Sequence, residues 1–388
     1  MSIEKNILDL PVFEGAEISW FAPLCDGDDD FMGNRNPMFK SSWENTSEIV
    51  KSADSFGFRN VLCPSSYQVG QDTLTFASAI GPLTKQINLL TAIRCGEVHP
   101  PMLGRAIATL DHILKGRLTL NIISSDLPGS VLSSKERYAR SREVIEILKQ
   151  GWTQDEIDFK GTFYNIKLRT DPVKPYQQNG GPLLYFGGYS PDGVSLCAEH
   201  CDVYLMWPET IDKLKGLMNN MTEKAAGFGR KVLFGLRVHV IVRETEQEAK
   251  EYAKFLISNL DLDLDQGDEI RNRAQDANSL GVSRQSELRK SADEDYFVEP
   301  HLWTGIGLAR SGCGAAIVGN PDQVHNKIQD YIKMGIQSFI FSGYPHKQEA
   351  EYFAKLVLPR LKTVSLPEVM GRIPKEKPNT PLERGPRK

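Results

Sequence analysis

Two residues whose side chains could take part in catalysis or binding, Arg237 and His239, lie two positions apart in the apolar segment 234–243. Alternate side chains of a β-strand point to the same face, so the guanidinium and the imidazole are predicted to share one face, with Val238 and Val240 on the other. A buried cation and a buried imidazole need an anion or hydrogen-bond partners. Because apolar residues flank the pair, we interpret it as functional rather than as the polar edge of a strand.

A second chemical motif is Gly-Gly-Tyr-Ser at 187–190, between an apolar run and a helical pattern. Backbone N–H groups and the Ser190 hydroxyl would meet an anion at the positive end of that helix. A glycine pair after a strand is more often only a tight turn, so both interpretations stay open. Arg310, in a stretch of small residues that allows close approach, could equally bind an anion or form a surface ion pair.

The elements that must position these residues alternate between short apolar runs and amphipathic helical patterns. The helix after the third run illustrates the pattern, with apolar Leu103, Ile107, Leu110 and Leu114 at steps of four and three. Strands that alternate with helices pair in parallel, and eight such units predict a closed (β/α)8 TIM barrel. The alternative, an open doubly wound sheet, would need an early GxGxxG phosphate turn, which follows none of the runs. The eight predicted strands are 17–23, 60–63, 87–94, 118–124, 183–188, 202–207, 234–243 and 338–344.

Three segments add to the bare barrel. Residues 155–169 are predicted to form a small hairpin with its turn at Lys-Gly. The polar insertion at about 261–299, after strand seven, is typical of a mobile lid. Residues 371–388, rich in Pro and basic residues, predict a C-terminal arm that either lacks order or lies over a partner subunit. The remainder, 1–370, is predicted to be a single domain.

In a barrel of this kind, functional groups gather where the strands end. The predicted ends carry cations, hydroxyls and aromatic rings but hardly any carboxylate. This composition disfavours a glycosidase, which needs two placed acids, and divalent-metal chemistry, and it favours an anionic ligand. The residues at these ends include Arg94, Asn121, Ser124, Gly188, Tyr189, Ser190, Trp207 and Tyr344.

The cysteines and the overall charge argue against a metal-binding, nucleic-acid-binding or membrane-bound protein. The six cysteines form no CxxC pair, and Cys197, His200 and Cys201 lack a second ligand pair, so we predict reduced thiols and no metal site. With 46 basic and 50 acidic residues the net charge is −4, which argues against nucleic acid or an anionic membrane as partner. No apolar run approaches the roughly 20 residues of a membrane span, and the first residues lack the features of a signal peptide. We therefore expect a cytoplasmic protein.

Several ordered segments resemble one family. From about Ile18 to Leu361 the chain is similar to the bacterial luciferase-like flavin monooxygenases, most closely the FMNH2-dependent alkanesulfonate monooxygenases. The resemblance implies the barrel with a mobile lid and assembly as a homodimer or homotetramer. It also implies a separate NAD(P)H-dependent flavin reductase that supplies reduced FMN. The segments that carry it are 184–188, 202–207, 234–245, 302–319 and 341–346.

The same resemblance implies the reaction and the site. An alkanesulfonate and O2 would give an aldehyde, sulfite and water, with Arg237 stabilising a negatively charged oxygen species or binding the sulfonate. His239 would orient that species or move a proton, and Arg310 would hold an anion as the lid closes. Residues matching the family's active site are Arg237, His239, Trp207, Tyr344 and Arg310. Those near the flavin and its phosphate are Ser124, Tyr138, Gly188 and Ser190, joined at the rim by Arg94, Asn121 and Tyr189.

The chain departs from that family on the substrate side. Leu24-Cys25 replaces a histidine after the first strand, the second loop lacks the family's cysteine, and Tyr189 stands where serine is usual. An acidic loop, Asp26 to Asp30, with Arg35 beyond it, replaces the short first turn. A different sulfonate or another organosulfur anion is therefore expected. The alternatives are a sulfone or other luciferase-like monooxygenase, a deazaflavin-dependent oxidoreductase, and a non-catalytic flavin-binding protein.

Overall fold

The computed structural model describes residues 10–25, 27–32, 36–66, 70–170, 173–260, 279–310 and 312–378. Within these ranges, eight parallel strands close a barrel in the order β1-β2-β3-β4-β7-β8-β9-β13, and β13 pairs with β1. The predicted TIM barrel is confirmed, and each predicted strand is present. The strands are β1 (Glu17–Phe21), β2 (Asn60–Cys63), β3 (Asn88–Arg94), β4 (Leu118–Ile123), β5 (Glu156–Lys160), β6 (Asn165–Arg169), β7 (Leu184–Gly187), β8 (Val203–Met206), β9 (Leu233–Val242), β10 (Phe297–Glu299), β11 (Leu302–Trp303), β12 (Ala316–Gly319) and β13 (Ile336–Ser342).

Helices follow the barrel strands and surround them. The predicted stripe of Leu103, Ile107, Leu110 and Leu114 is buried against the barrel, which confirms the periodicity. The α-helices are α1 (Trp43–Phe56), α2 (Thr73–Ile80), α3 (Pro100–Leu114), α4 (Ser134–Thr153), α5 (Pro191–His200), α6 (Ile211–Gly227), α7 (Glu246–Leu256), α8 (Leu280–Lys290), α9 (Pro321–Met334), α10 (His346–Leu356) and α11 (Leu366–Val369). Short 3-10 turns span Pro37–Phe39, Gly81–Leu83, Gly305–Leu308 and Leu358–Arg360.

Two helices end earlier than the apolar pattern indicates. The stripe after β9 runs to Leu260, but α7 ends at Leu256, before Ile257, Ser258 and Asn259, which are weak helix formers. The last stripe runs to Leu361, yet α10 ends at Leu356 because Pro359 has no N–H to donate to the carbonyl of Lys355 and its ring would clash with that carbonyl.

The amino-terminal end of the barrel is closed by a buried polar network. Glu17 lies at its centre and accepts hydrogen bonds from the Tyr185 hydroxyl at 2.7 Å and from Asn60 Nδ2 at 3.1 Å. The backbone N–H of Leu366 donates to the same carboxylate at 3.3 Å. Burial raises the pKa of Glu17. We call this network the floor of the barrel; ligands must therefore approach from the opposite end.

The predicted hairpin is confirmed as β5 and β6. Its turn is fixed by Glu143 of α4, which accepts hydrogen bonds from the backbone N–H groups of Thr162, Phe163 and Tyr164 at 2.6–3.0 Å. A carboxylate that satisfies three backbone donors holds the hairpin against α4.

The described part of the predicted arm lies on the chain's own barrel. Arg372 donates to the carbonyl oxygens of Asn179 and Gly181 and pairs with Asp202 at 3.3 Å, and its own carbonyl accepts from Gln178 N–H. Residues 379–388 and the predicted lid residues 261–278 lie outside the described ranges. Among the helices described, none is long and apolar enough to cross a bilayer.

Candidate active site

Arg237 and His239 point into the barrel, as their spacing on β9 predicts. Both residues are buried, at 7% and 1% exposed. Ser342, at the end of the neighbouring strand β13, joins them: Arg237 Nη2 donates to Ser342 Oγ at 2.8 Å, and Ser342 Oγ lies 2.7 Å from His239 Nδ1. The guanidinium also lies over the Phe21 ring, 4.6 Å from its centre. Val238 and Val240 are buried on the outer face of the strand.

The hydrogen bonds of His239 define its tautomer. Nε2 lies 3.2 Å from the carbonyl oxygen of Cys313, which can only accept, so we assign the ring proton to Nε2. Nδ1 then accepts from the Ser342 hydroxyl. Burial, reinforced by the positive charges of Arg237 and Arg310, lowers the pKa of His239 well below its usual value. His239 is therefore a neutral imidazole with both nitrogens already engaged.

Tyr344 lies at the centre of the cluster, just past the end of β13. Its ring stacks on His239 with centroids 5.4 Å apart, and the Arg310 guanidinium lies 5.5 Å from its centre. The residue is 1% exposed, and its hydroxyl has no hydrogen-bond partner in the described ranges. A buried phenol without a partner is costly, so it indicates a place for a ligand's polar group.

A second imidazole, His346, packs edge-on against Tyr344 with centroids 5.0 Å apart. Its Nδ1 lies 2.8 Å from Oδ1 of Asp28, and its backbone N–H donates to the same oxygen at 2.8 Å. The other ring nitrogen, Nε2, is buried and has no hydrogen-bond partner among the described residues. The two imidazoles of the cluster therefore differ, because His346 has a ring nitrogen without a hydrogen-bond partner among the described residues, whereas both nitrogens of His239 are engaged.

Trp207 and Tyr189 form the wall below α8. The Tyr189 hydroxyl accepts from Trp207 N–H at 2.5 Å, and the two ring centroids lie 6.4 Å apart. Burial raises the pKa of Tyr189. The Tyr189 side chain therefore packs on Trp207, while the backbone of 187–190 forms the predicted turn.

That turn leads into α5 as expected. Ser190 is the N-cap residue, and its hydroxyl accepts from Gly193 N–H at 3.2 Å. Gly187 is exposed at the barrel mouth, and a side-chain carbon built on Gly193 would lie 3.0 Å from the Tyr138 hydroxyl. The helix N-terminus, the glycines and the Tyr138 hydroxyl thus form an open cradle.

Further polar groups lie at the ends of β3 and β4, beside the cradle. Arg94 is 6% exposed and donates to Ser125 Oγ and to the Ser65 carbonyl. Ser124 bonds to Ser141 of α4 at 2.7 Å, and Asn121 is half-buried. Arg140 of α4 is also buried, and its Nε has no hydrogen-bond partner in the described ranges.

These residues fit an anionic cofactor. A helix N-terminus bordered by glycines suits a phosphate, and the buried guanidinium of Arg140, with its unpaired Nε, adds positive charge close to Ser125, whose carbonyl it contacts at 3.4 Å. The cradle lies at the carboxyl end of β7, and the Arg237 cluster lies where the carboxyl end of β13 pairs with β9, so both border the same mouth. Of the predicted residues, Arg237, His239, Tyr344 and Arg310 form one cluster.

Sequence reasoning left three members of this cluster without a role: Ser342, His346 and Asp28. Ser342 ends β13 and His346 follows that strand, so the strand-end rule could have selected both. Asp28 carries no such signal, because it acts on a residue 318 positions away. Two cavities, of about 720 and 500 Å³, lie elsewhere, beside α7 and β10 and beside Trp152, and neither is lined by the cluster.

Comparison with known proteins places the chain in a family. The model of the luciferase-like monooxygenase family matches residues 17–338. A sulfoquinovose monooxygenase from Agrobacterium fabrum (strain C58) is 58% identical over 375 residues, covering 96% of this chain and 97% of that protein. Another protein of that name, from Novosphingobium aromaticivorans, is 50% identical over 356 residues and covers 90% and 97%.

Solved structures agree on the fold. EDTA monooxygenase from Chelativorans sp. BNC1 superposes with a TM-score of 0.69 at 15% identity, covering 95% of this chain and 97% of that one. Riboflavin lyase gives a TM-score of 0.72 at 15% identity, covering 95% and 94%. At these identities the likeness establishes the barrel only. The family match and the relatives at 50% identity or more go further: this chain belongs to the luciferase-like monooxygenase family.

Proposed function

We propose that the chain is a flavin-dependent monooxygenase that uses reduced FMN and O2 to cleave the C–S bond of a sulfonate. The substrate class that we favour is a sulfonated sugar, since two relatives at 50% identity or more are named sulfoquinovose monooxygenase. A separate NAD(P)H-dependent reductase would supply the reduced flavin. The observation that carries the proposal is the buried Arg237–Ser342–His239 network beside Arg310 and Tyr344.

The charges of the cluster suit a sulfonate. Two guanidinium groups, Arg237 and Arg310, lie within 6 Å of the Phe21 and Tyr344 rings respectively, and Arg237 is almost fully buried. Asp28, a carboxylate at the edge of the cluster, accepts hydrogen bonds from His346. The Arg237 guanidinium donates to two neutral groups, the Ser342 hydroxyl and the Ile340 carbonyl, so an anion entering this pocket would meet its positive charge.

The overall reaction balances for a sulfonate on a CH2 group. One oxygen atom of O2 enters the aldehyde and the other leaves as water, while the sulfur departs as bisulfite. Reduced FMN, when bound, supplies two of the four electrons that O2 needs, and the carbon that becomes the aldehyde supplies the other two. The residues at the turn 187–190, with Ser124 and Tyr138, would hold its phosphate.

The chain's own residues would contribute charge and orientation. Arg237 would stabilise negative charge that develops on oxygen or sulfur, and its position is fixed by Ser342 before the substrate arrives. His239 is neutral and fully hydrogen-bonded, so its contribution is to hold Ser342 and the Tyr344 ring. Helix α8, packed over Trp207, would limit the access of water.

The main alternative is a deazaflavin-dependent oxidoreductase, because two solved neighbours with this fold depend on coenzyme F420. Such an enzyme needs no oxygen and releases no sulfite. A non-catalytic flavin-binding protein would have no need of the buried Arg237 network.

The test supplies enzymatically reduced FMN, O2 and a panel of sulfosugars, alkanesulfonates and sulfones, and measures sulfite together with oxygen consumption. We expect sulfite release to be fastest with a sulfosugar. Arg237→Ala should lower kcat/KM at least about a hundredfold because the charge stabilisation is lost, with FMNH2 affinity changed less than several-fold. Arg105→Ala, an exposed arginine on α3, is the matched control and should behave as the native protein.

Absence of sulfite with every compound would overturn the proposed C–S cleavage, even if flavin binds. Reduction of a substrate by deazaflavin without oxygen would favour the alternative. Near-normal turnover in Arg237→Ala would remove Arg237 from the mechanism.

A further inference from the structure

We propose that Asp28 is a positioning residue for His346, which it holds with Nδ1 protonated so that Nε2 is the nitrogen available to accept or release a proton in the active site. The inference rests on the proposed function in one respect only, since it assigns the pair a part in turnover. The hydrogen-bond arrangement itself stands apart from the identity of the substrate.

The contact between Asp28 and His346 is enclosed. The side chains of both residues are 0% exposed, and a single oxygen, Oδ1 of Asp28, accepts from both the ring Nδ1 and the backbone N–H of His346 at 2.8 Å. The second oxygen, Oδ2, accepts from Asn45 Nδ2 at 3.3 Å. An acceptor-only carboxylate facing Nδ1 requires the ring proton to be on that nitrogen.

The local structure explains why a carboxylate is stable there. His346 is the first residue of α10, and the N-terminus of a helix carries partial positive charge and unpaired N–H groups. Asp28 reaches this end from the loop after β1, so it caps a helix that begins 318 residues later in the chain. The His346 carbonyl is fixed in turn by Trp20 Nε1 at 3.1 Å. Backbone and ring are thus held on both sides.

The geometry separates the roles of the two imidazoles. His239 has its Nδ1 and Nε2 bound to Ser342 and to the Cys313 carbonyl, so it cannot exchange a proton with a ligand without breaking a bond. His346 has Nε2 buried without a partner among the described residues. Its ring lies 5.0 Å from Tyr344 and 5.5 Å from Phe21, which also contacts Arg237. Nε2 of His346 is therefore the better candidate for proton transfer.

In the described ranges, the ionisable groups that contact His346, or a ring packed on it, come from four elements. Asp28 faces it from the loop after β1, and Tyr344 precedes it after β13. Arg237 and His239 approach from β9, and Arg310 lies over Tyr344 from the segment after Gly305–Leu308. Within this group Asp28 supplies the negative charge that offsets the cations next to the imidazole. Removal of the Asp28 carboxylate should therefore change the state of His346 more than removal of any other side chain in this group.

The first experiment reads the tautomer without any substrate. Protein labelled with 15N-histidine is studied by NMR, and the His346 signals are identified by their loss in His346→Gln. In the native protein we expect Nδ1 to show the shift of a protonated nitrogen and Nε2 that of an unprotonated one. In Asp28→Ala the proton should move to Nε2. Unchanged signals in Asp28→Ala would overturn the proposal.

The second experiment separates positioning from helix capping. Asn is a good helix cap, so Asp28→Asn should fold even if Asp28→Ala does not; it removes the negative charge and replaces one acceptor oxygen with an NH2 donor. We expect kcat for sulfite release to fall at least about tenfold with KM changed less than about threefold. The kcat of His346→Gln should fall by a similar factor. The double variant should be no slower than His346→Gln, because Asp28 acts through His346. Asp72→Asn, at an exposed capping aspartate of α2, is the control and should keep native kinetics.

The outcomes are distinguishable. Additive losses in the double variant, or a native kcat in Asp28→Asn, would overturn the positioning role. Lack of sulfite release by the native protein would overturn the proposed function but leave the NMR result to decide the tautomer.

Discussion

His200 is an imidazole that the fold keeps uncharged. It lies at the end of α5, 8% exposed, and burial together with Lys149, Arg142 and Arg230 lowers its pKa to about 3. Glu146 and Glu199 lie 3.5 and 3.6 Å from its Nε2. These three residues have the types of a metal site, but Arg142 pairs with Glu199 at 2.8 Å, and the neighbouring cations oppose a metal ion.

A measurable pH dependence follows from this residue. Between about pH 6.5 and pH 3 the unfolded chain protonates His200 whereas the folded chain does not, so the free energy of unfolding must fall as the pH falls. The fall attributable to His200 is about 2 kcal/mol between pH 6.5 and pH 5. His200→Gln should remove that part, as measured by urea denaturation at both pH values.

The control for this prediction is His325→Gln on α9, since His325 is half-exposed and should leave the acid sensitivity unchanged. An acid sensitivity of His200→Gln equal to that of the native protein would contradict the prediction.

At this scale the sequence predicted the residues that share a strand and missed those that meet across strands. Arg237 and His239 could be paired because a strand has a period of two. Ser342 joins them only through the register of β13 on β9, which sets Ser342 beside His239. Asp28 joins through a loop whose course no local pattern specifies, so its contact with His346 could not be predicted.

Helix α8 is the element that covers the rim at the end of β8. Gln285 bridges the Pro208 carbonyl at 2.7 Å and Gly314 N–H at 3.0 Å, and Arg289 donates to the Gly307 carbonyl. Arg284 lies over the Tyr189 ring and pairs with Glu209 at 3.3 Å. The sequence predicted an insertion here but not its helix, because this segment has only a weak apolar stripe and is held mainly by polar contacts.

Close packing of α8 makes Gly281 sensitive to substitution. A side-chain carbon at this position would lie 2.9 Å from the Trp207 ring and 3.1 Å from the Tyr189 ring. Gly281→Val should therefore lift α8 from the rim and admit water. We expect the ratio of sulfite formed to oxygen consumed to fall at least about twofold, with the free energy of unfolding changed by less than about 1 kcal/mol.

The matched control is Gly216→Val, on the exposed side of α6, where an added carbon would meet nothing within 4 Å. Native coupling of oxygen consumption to sulfite in Gly281→Val would show that α8 does not seal the site.

Over the whole molecule, the alternation of apolar runs and helices was sufficient to predict the barrel and its strand order. It could not predict the floor, which joins Glu17 of β1 to Asn60, Tyr185 and Ser338 of three other strands. Polar residues inside strands are usually evidence against a buried position. Only the closed barrel, which brings these four side chains of different strands together, turns them into a hydrogen-bonded network.

The floor predicts a stability effect without an effect on turnover. Tyr185→Phe removes the hydroxyl that donates to Glu17, and leaves a buried carboxylate with fewer donors. The free energy of unfolding, measured in urea, should fall by about 1–3 kcal/mol. Flavin affinity and kcat should stay native, because the floor lies at the opposite end from the site. Tyr352→Phe, at a residue of α10 that is 44% exposed, should be neutral in both measurements. A loss of turnover in Tyr185→Phe would contradict the separation of floor and site.

The floor of the barrel has a further consequence for the order in which ligands bind and leave. Because the barrel is closed at the floor, flavin and substrate must enter through the same mouth, so the ligand that lies deeper must bind first. Release is ordered in the same way, and a ligand bound nearer the mouth would prevent the deeper ligand from dissociating. Inhibition by excess of one reactant, dependent on the concentration of the other, would be the kinetic trace of that single entrance.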